Sequence, residues 1–464
     1  MIPLALLGCL VAIGTVVTLT DWRKGIFFAI VVCSIQDPVR KVTPDTPALL
    51  VLSSLPIWLA MFYRALVVND GWRSFRQAWP ELSSAMRLFV LALPLPVLVV
   101  LQYGLDAWRM AVLGLFGYLG PLVGVVAGFT YARQPRDVER VLVFYCIVST
   151  LGMVGGPLEY LDAWASPIIG TEALQARWMR WGIDDPIALV SGFYRSPDIM
   201  GWHAAALVTL GATLLLYGRT RSPALIAALA LGAVCLLICG RRKMIMMPVV
   251  WVTLVAVLSI RAGRPGRVMA LSGLGLLTGI AAYYAAGELG IVSGYYDYAF
   301  STAGQGRTRL VSSTWDQLWV TLAQSGFFGS GIGVATQGGQ HLGGLVALRT
   351  WQESGPARVM VELGVPGFLL GLVLAIVVAK ACLRRTDLPS PAPTLSLGLI
   401  AFAAANAAAF AVSHQVYGDM SIASLTAFLF GASLSPFGSQ RAPESATSAP
   451  RLLSMAWQPG RQQG

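Results

Sequence analysis

Apolar residues in this chain come in long runs separated by polar joins. The runs fall at 2–20, 26–36, 47–68, 88–105, 108–131, 141–158, 200–218, 223–240, 244–261, 268–289, 357–381, 393–414 and 421–437. Most hold about 18 or more residues, enough for a helix to cross the hydrocarbon of a bilayer. In lipid the backbone satisfies its hydrogen bonds only within a helix or around a closed barrel, and runs of this length require helices. The run at 26–36 is too short to cross alone unless it borrows from its polar flank. The pattern therefore predicts an all-α, polytopic integral membrane protein with 12 or 13 transmembrane helices over residues 1–437. The tail at 438–464, rich in Pro, Ser, Ala and Gln, is predicted to be disordered on the cytoplasmic side. No internal repeat is evident, which weighs against a transporter built of inverted halves.

The joins orient these helices. One alternating set holds Arg23/Lys24, Arg73/Arg76/Arg87, Arg133/Arg136/Arg140, Arg219/Arg221, Arg261/Arg264/Arg267, Arg384/Arg385 and the basic tail. Basic joins stay in the cytoplasm, so this set is assigned there. The other set, the periplasmic one, holds two long loops at 159–199 and 290–356 and short joins at 106–107, 240–243 and 415–420. The first run lacks a basic leader and an A-x-A site, and its charges follow it. That predicts an uncleaved anchor with the N-terminus outside. Residues 69–87 set Trp72, Phe75 and Trp79 among Arg73, Arg76 and Arg87, which predicts an amphipathic segment lying on the cytoplasmic leaflet.

Composition agrees with a bilayer environment. Of 464 residues 56% are hydrophobic and 12% charged, about half the charged fraction of globular chains. The formal charge of +11 is mostly this topological signal, and basic residues scattered among loops argue against a nucleic-acid partner. Cys9, Cys33, Cys146, Cys235, Cys239 and Cys382 lie in or beside apolar runs with no CxxC or Cys/His spacing, so they read as packing residues, with no metal site predicted.

Candidate chemistry sits where the charge bias is broken. Arg241-Arg242-Lys243 joins two apolar runs on the outer side, as a grip for an anionic lipid-linked substrate or as a cluster snorkelling to the interface. Arg307 and Arg309 are a second exception. The first long loop ends with Arg195, Asp198 and His203 around a helix start, as secondary residues of a polar site open to the bilayer, or with Asp198 as a cap and His203 as a packed or interfacial residue rather than a catalyst. In the second loop an amphipathic stretch carries Trp315, Leu318, Trp319 and Leu322. Glycines 329, 331 and 333 follow, which would let backbone N–H groups approach an anion. Glu353 precedes the next helix. Glu362 lies inside it with Arg358 one turn earlier, a structural pair. His414 stands with Tyr417 and Asp419 at another outer join, so His203, His341 and His414 all map to the outer side.

Several of these features together resemble a family. A Gly-Arg step at Gly240-Arg241 is followed by a long outer loop with Arg309, Trp315 and Trp319 and then Phe-Gly-x-Gly-x-Gly from Phe328. A helix with Glu-Leu-Gly-x-Pro-Gly from Glu362 completes the order. Over about 190–375 this resembles the O-antigen ligase and polysaccharide polymerase family. The resemblance implies a metal-independent, inverting glycosyltransferase at the periplasmic face of the bacterial inner membrane, without a cofactor. It implies a glycan donor on undecaprenyl pyrophosphate and an acceptor glycan, with a chain-length regulator or export proteins as candidate partners. By position, Arg241 or Arg242 and Arg307 or Arg309 would bind the pyrophosphate, as guanidinium forks suit a leaving pyrophosphate. Ligases of the family carry His-Asn nine residues before the Glu of Glu-Leu-Gly, where this chain has Glu353-Ser354. Glu353 then becomes the candidate base, with His341 as the histidine a shifted alignment would supply, and the departure favours a polymerase over a ligase acting on lipid A core. A polysaccharide or lipid-linked oligosaccharide transporter is the alternative from another class. It predicts paired charges at the midplane, whereas the middles of these runs are almost free of charge.

Overall fold

The computed structural model describes residues 2–180, 187–218, 222–261, 315–336, 352–387 and 395–436, with scattered single residues between 263 and 284. Among them the chain is mostly helical, with nine helical spans long and apolar enough to cross a membrane, three of which (Ala48–Val68, Pro80–Leu101 and Pro135–Tyr160) join adjacent shorter elements. In chain order the helices are α1 (Ile2–Thr20), α2 (Gly25–Val42), α3 (Leu55–Tyr63), α4 (Gly71–Ala78), α5 (Pro80–Ala92), α6 (Pro94–Leu101), α7 (Trp108–Tyr131), α8 (Pro135–Met153) and α9 (Gly155–Tyr160). They continue with α10 (Pro197–Tyr217), α11 (Pro223–Ile238), α12 (Arg242–Arg261), α13 (Gln317–Ser325), α14 (Gly355–Asp387), α15 (Leu395–Val412) and α16 (Met420–Leu434). The described strand is one two-residue hairpin, Met179–Arg180 against Ile187–Ala188, in the first long loop.

The centre of the bundle is α10, apolar on every side and buried on every side, as a helix without a polar face must be. Around it stand α8, α11, α12 and α15. Among the described residues the most extensively packed helix pair is α7 with α16. Gly120, Gly124 and Gly128 recur along one stripe of α7, and Ser424, Ala427 and Phe428 of α16 lie in it. A Cβ at Gly128 would collide with the Phe428 carbonyl, and one at Gly431 with the Val125 carbonyl. Small residues at this spacing allow backbones to approach, which drives helix pairing where no hydrophobic effect separates helix from solvent.

Two predicted elements change character in space. Helix α2 runs on through its polar flank to Val42, with Gln36, Asp37 and Lys41 buried. Segment 69–87 forms α4 and the start of α5, but its aromatics face protein. Phe75 packs edge-on to Phe129 with ring centroids 5.3 Å apart, and the Trp79 indole N–H donates to the Leu434 carbonyl at 3.3 Å. Arg73 and Arg76 stay exposed. The apolar edge of this segment, Phe75 and Trp79, is therefore packed against the bundle.

Polar groups collect at the two ends of the bundle. One end, the Arg385 end, joins Arg23 to Asp137 at 2.7 Å and the Arg385 guanidinium to the Ser433 and Ser435 carbonyls at 3.1 Å each. The opposite end, the Arg241 end, holds Asp37, Arg195, Asp198, Lys243, Glu353 and Asp419. The span expected at 268–289, most of loop 290–356 and the tail from 438 lie outside the described residues. Gly128→Val is expected to destabilise the protein by about 1–3 kcal/mol or more by overpacking. Gly8→Ala, where a Cβ meets nothing within 4 Å, is the control, and thermal unfolding in detergent is the measurement.

Candidate functional site

Helix α10 starts with Ser196, whose side chain accepts the Ile199 N–H at 3.4 Å, and Pro197 fills the first helical position. The cap role open to Asp198 is thus taken by Ser196, and the Asp198 carboxylate turns instead to the α11–α12 step. Gly240, at φ +63°, makes that step. Arg241 reaches one oxygen of Asp198 at 2.8 Å and Lys243 the other at 2.7 Å. The Arg241 guanidinium also lies over the Trp178 ring, 5.1 Å from its centroid. Arg242 opens α12 and is half-buried. Of the three cations, Arg241 and Lys243 thus converge on a single buried acid.

Lys243 is also held by the α15–α16 join. Its ammonium donates to Ser413 Oγ at 2.6 Å and to Gln415 Oε1 at 3.0 Å. Between those two residues, His414 turns the other way. Its backbone N–H donates to the Glu353 carbonyl at 2.9 Å and its Nε2 meets the Gln352 carbonyl at 2.8 Å. A carbonyl only accepts, so Nε2 carries a proton. Burial, followed by the positive charge of Arg358 and Lys243, pushes the His414 pKa down to about 3. On the far side α13 holds the same segment. Gln352 Nε2 donates to Thr321 Oγ1 at 3.1 Å, and the Ser354 N–H to Gln317 Oε1 at 3.3 Å. The Glu353 backbone is fixed from both sides, while Glu353 itself is exposed and within electrostatic reach of Lys243.

Arg195 lies between two acids from distant helices. Its guanidinium meets Asp37 at 3.1 Å and Asp419 at 2.6 Å. Burial opposes its charge, but the two carboxylates outweigh that and raise its pKa above the usual arginine value. Asp419 also caps α16 through the N–H groups of Ser421 and Ile422 at 2.8 and 3.1 Å. His203 lies inside this cluster, stacked on Tyr194 at 4.8 Å and bonded through Nδ1 to the Tyr145 hydroxyl at 3.0 Å. It is packed into the core, 3% exposed.

Glu362, 0% exposed, pairs with Arg358 at 3.5 Å and does more besides. It accepts the Tyr118 hydroxyl at 2.6 Å and the Ala335 N–H at 3.0 Å, so it fastens loop 327–336 into the bundle. Gly329, Gly331 and Gly333 adopt φ of +75°, +100° and +87°. At the place of each missing Cβ stands protein backbone, from Gly364, Val100 and Met110 respectively. Helix α14 breaks at Gly364, φ +67°, and the Val365 N–H there donates to the Phe327 carbonyl at 2.9 Å. The glycine run expected to open toward an anion is used for close packing.

Arg307, Arg309 and His341 lie outside the described residues. Of the expected site residues, the structure brings together Arg241, Asp198, Glu353 and His414, with Arg195 nearby through Asp419. Sequence reasoning did not assign Asp37, Tyr118, Ser413 or Gln415 to the site. Asp37 carried a signal, since an acid in an apolar helix needs a partner; the hydroxyl and amide partners carried none. Among the described residues no three His, Cys, Asp or Glu side chains converge as metal ligands. Glu362→Ala leaves Arg358 buried without its acid and is expected to cost about 3–5 kcal/mol, read as a lower unfolding midpoint and faster proteolysis at 327–336. His414, whose pKa falls from 6.5 to about 3 on folding, refuses a proton that the unfolded chain binds. Stability should therefore fall as pH drops from about 6.5 toward about 3, with no dependence from this group above that window. His414→Gln should flatten that part of a pH series of unfolding midpoints. The sequence matches no protein-family model and no curated protein.

Proposed function

We propose that this chain is a membrane glycosyltransferase that moves a glycan from undecaprenyl pyrophosphate to an acceptor glycan, polymerising the repeats of a surface or secreted polysaccharide. On this reading 12 or 13 helices cross the inner membrane of a bacterium and the Arg241 end faces the periplasm. The observation that carries it is the meeting of a cation step with an exposed carboxylate whose backbone is held in place. Lys243 and the Gln352–Glu353 backbone are held by neighbouring residues of one tripeptide, Ser413-His414-Gln415.

The chemistry follows from that meeting. Arg241, Arg242 and Lys243, joined by Arg307 and Arg309 of the long loop, hold the donor pyrophosphate. Glu353 takes the proton of the acceptor hydroxyl. The freed oxygen attacks the anomeric carbon from the face opposite the phosphate, forming the new glycosidic bond with inversion. The carbon–oxygen bond to phosphate breaks, and its electron pair leaves with undecaprenyl pyrophosphate, whose growing charge the cations stabilise. A transporter fits less well, because the charged residues of the described apolar helices sit toward their ends rather than at their middles.

Glycan analysis of a strain lacking the protein tests the reading. Lipid-linked single repeats are expected to accumulate without polymer. Full-length polymer left on its polyprenyl carrier and absent from lipid A core would make the protein a ligase instead, and an unchanged profile would overturn both. Arg241→Ala is expected to slow transfer about 100- to 1000-fold at normal protein level. Less than about threefold for Arg241→Ala and Arg242→Ala alike would remove the pyrophosphate role.

A further inference from the structure

We infer that His414 is a positioning residue that sets Glu353 against the Arg241–Lys243 cations; the inference rests on the glycosyl-transfer reading above. Two consecutive carbonyls, those of Gln352 and Glu353, are both held by His414, one by its ring N–H at 2.8 Å and one by its backbone N–H at 2.9 Å. From the opposite side Gln317 and Thr321 of α13 hold the Ser354 N–H and the Gln352 amide. The Gln352 and Glu353 carbonyls, the Gln352 Nε2 and the Ser354 N–H are thus engaged from two directions, and the Glu353 side chain projects from a backbone held on both sides.

The other half of the arrangement is the chain on either side of His414. Ser413 and Gln415 bind the Lys243 ammonium at 2.6 and 3.0 Å, and Lys243 shares Asp198 with Arg241. A single tripeptide therefore sets the separation between the acid and the cations. Loss of the ring N–H frees the Gln352 carbonyl and lets residue 353 move relative to Lys243. Misplacing a reacting group by about 1 Å can cost about 100-fold in rate. Nε2 is committed to the Gln352 carbonyl, and the buried Nδ1 faces the field of Arg358 from α14 and Lys243 from α12. The ring is thus placed to hold a strand in position rather than to accept the acceptor's proton.

The test compares His414→Ala with His414→Gln, whose side-chain amide carries an N–H to about the place of Nε2. In purified protein, His414→Ala is expected to lower kcat about 100-fold with KM for the lipid-linked donor within about threefold. His414→Gln is expected to stay within about fivefold of the parent kcat, the scale of one neutral hydrogen bond. Equal loss in both variants would make the imidazole itself the reacting group and overturn the inference. So would an unchanged kcat in His414→Ala after correction for folded protein. A readout without activity separates the two proposals. Glu353→Cys is labelled with a membrane-impermeant thiol reagent, with the parent chain's own labelling subtracted. The labelling rate should change severalfold on adding His414→Ala and return with His414→Gln. An unchanged rate overturns the positioning role whatever the activity does. If the parent chain consumes no lipid-linked glycan, the transfer reading fails while labelling still decides whether His414 sets position 353.

Discussion

Burying an ion against apolar helices costs several kcal/mol unless an opposite charge meets it with good geometry. At the Arg241 end that cost decides which helices touch. Asp198 binds α10 to the start of α12 through Arg241 and Lys243. Arg195 binds α2 to the start of α16 through Asp37 and Asp419. Glu159 accepts the Ser191 N–H at 2.9 Å and Lys41 donates to the Gly192 carbonyl at 2.9 Å, so the first long loop closes back onto α9 and α2. Each charge that enters the low-dielectric part of the bundle is therefore also a statement about register, since only one sliding position of two helices brings the pair together.

Packing along the shafts supplies the register that the charges require. The glycine stripe of α7 lets α16 approach until backbone meets backbone at Gly128 and Gly431. That contact is steep in energy, because overpacked backbone has nowhere to relax. With α16 fixed lengthwise by this seam, Asp419 at its start is delivered to Arg195, and the preceding residues 413–415 are delivered to Lys243 and Glu353. The seam lies along the helix shafts rather than at the charged end, yet it governs how well that end can be assembled.

This division explains what was legible in the sequence. The helices were, because an apolar run is a local property and the bilayer criterion reads it directly. So was the Arg358–Glu362 pair, one turn apart on one helix. The partners of Arg195 were not: Asp37 and Asp419 lie 158 and 224 residues away, and no local pattern links them. The glycines at 329, 331 and 333 were legible as positions where backbone could be closely approached. Their use was not, because an anion cradle and a close packing contact both demand a missing Cβ. Only the neighbour that fills the space decides between them, and here it is backbone from α6, α7 and α14. In segment 69–87 the amphipathic pattern was real, but periodicity names an apolar face without naming what covers it.

Sharing one carboxylate between two cations also bears on the proposed chemistry. Asp198 gives one negative charge to Arg241 and Lys243 together, so the pair keeps an excess positive charge while both side chains stay oriented. A single-charged ligand arriving there competes with a carboxylate already in place at 2.7 and 2.8 Å, and gains little by the exchange. A pyrophosphate diester carries more charge and more acceptor oxygens than Asp198 offers, and so can draw on Arg241, Lys243 and Arg242 without displacing the acid entirely. The same carboxylate then resists prolonged retention of the leaving group, since it stands ready to take back both cations. On the proposed reading, the acid that makes the cation step stable enough to fold also limits how tightly that step can hold its product.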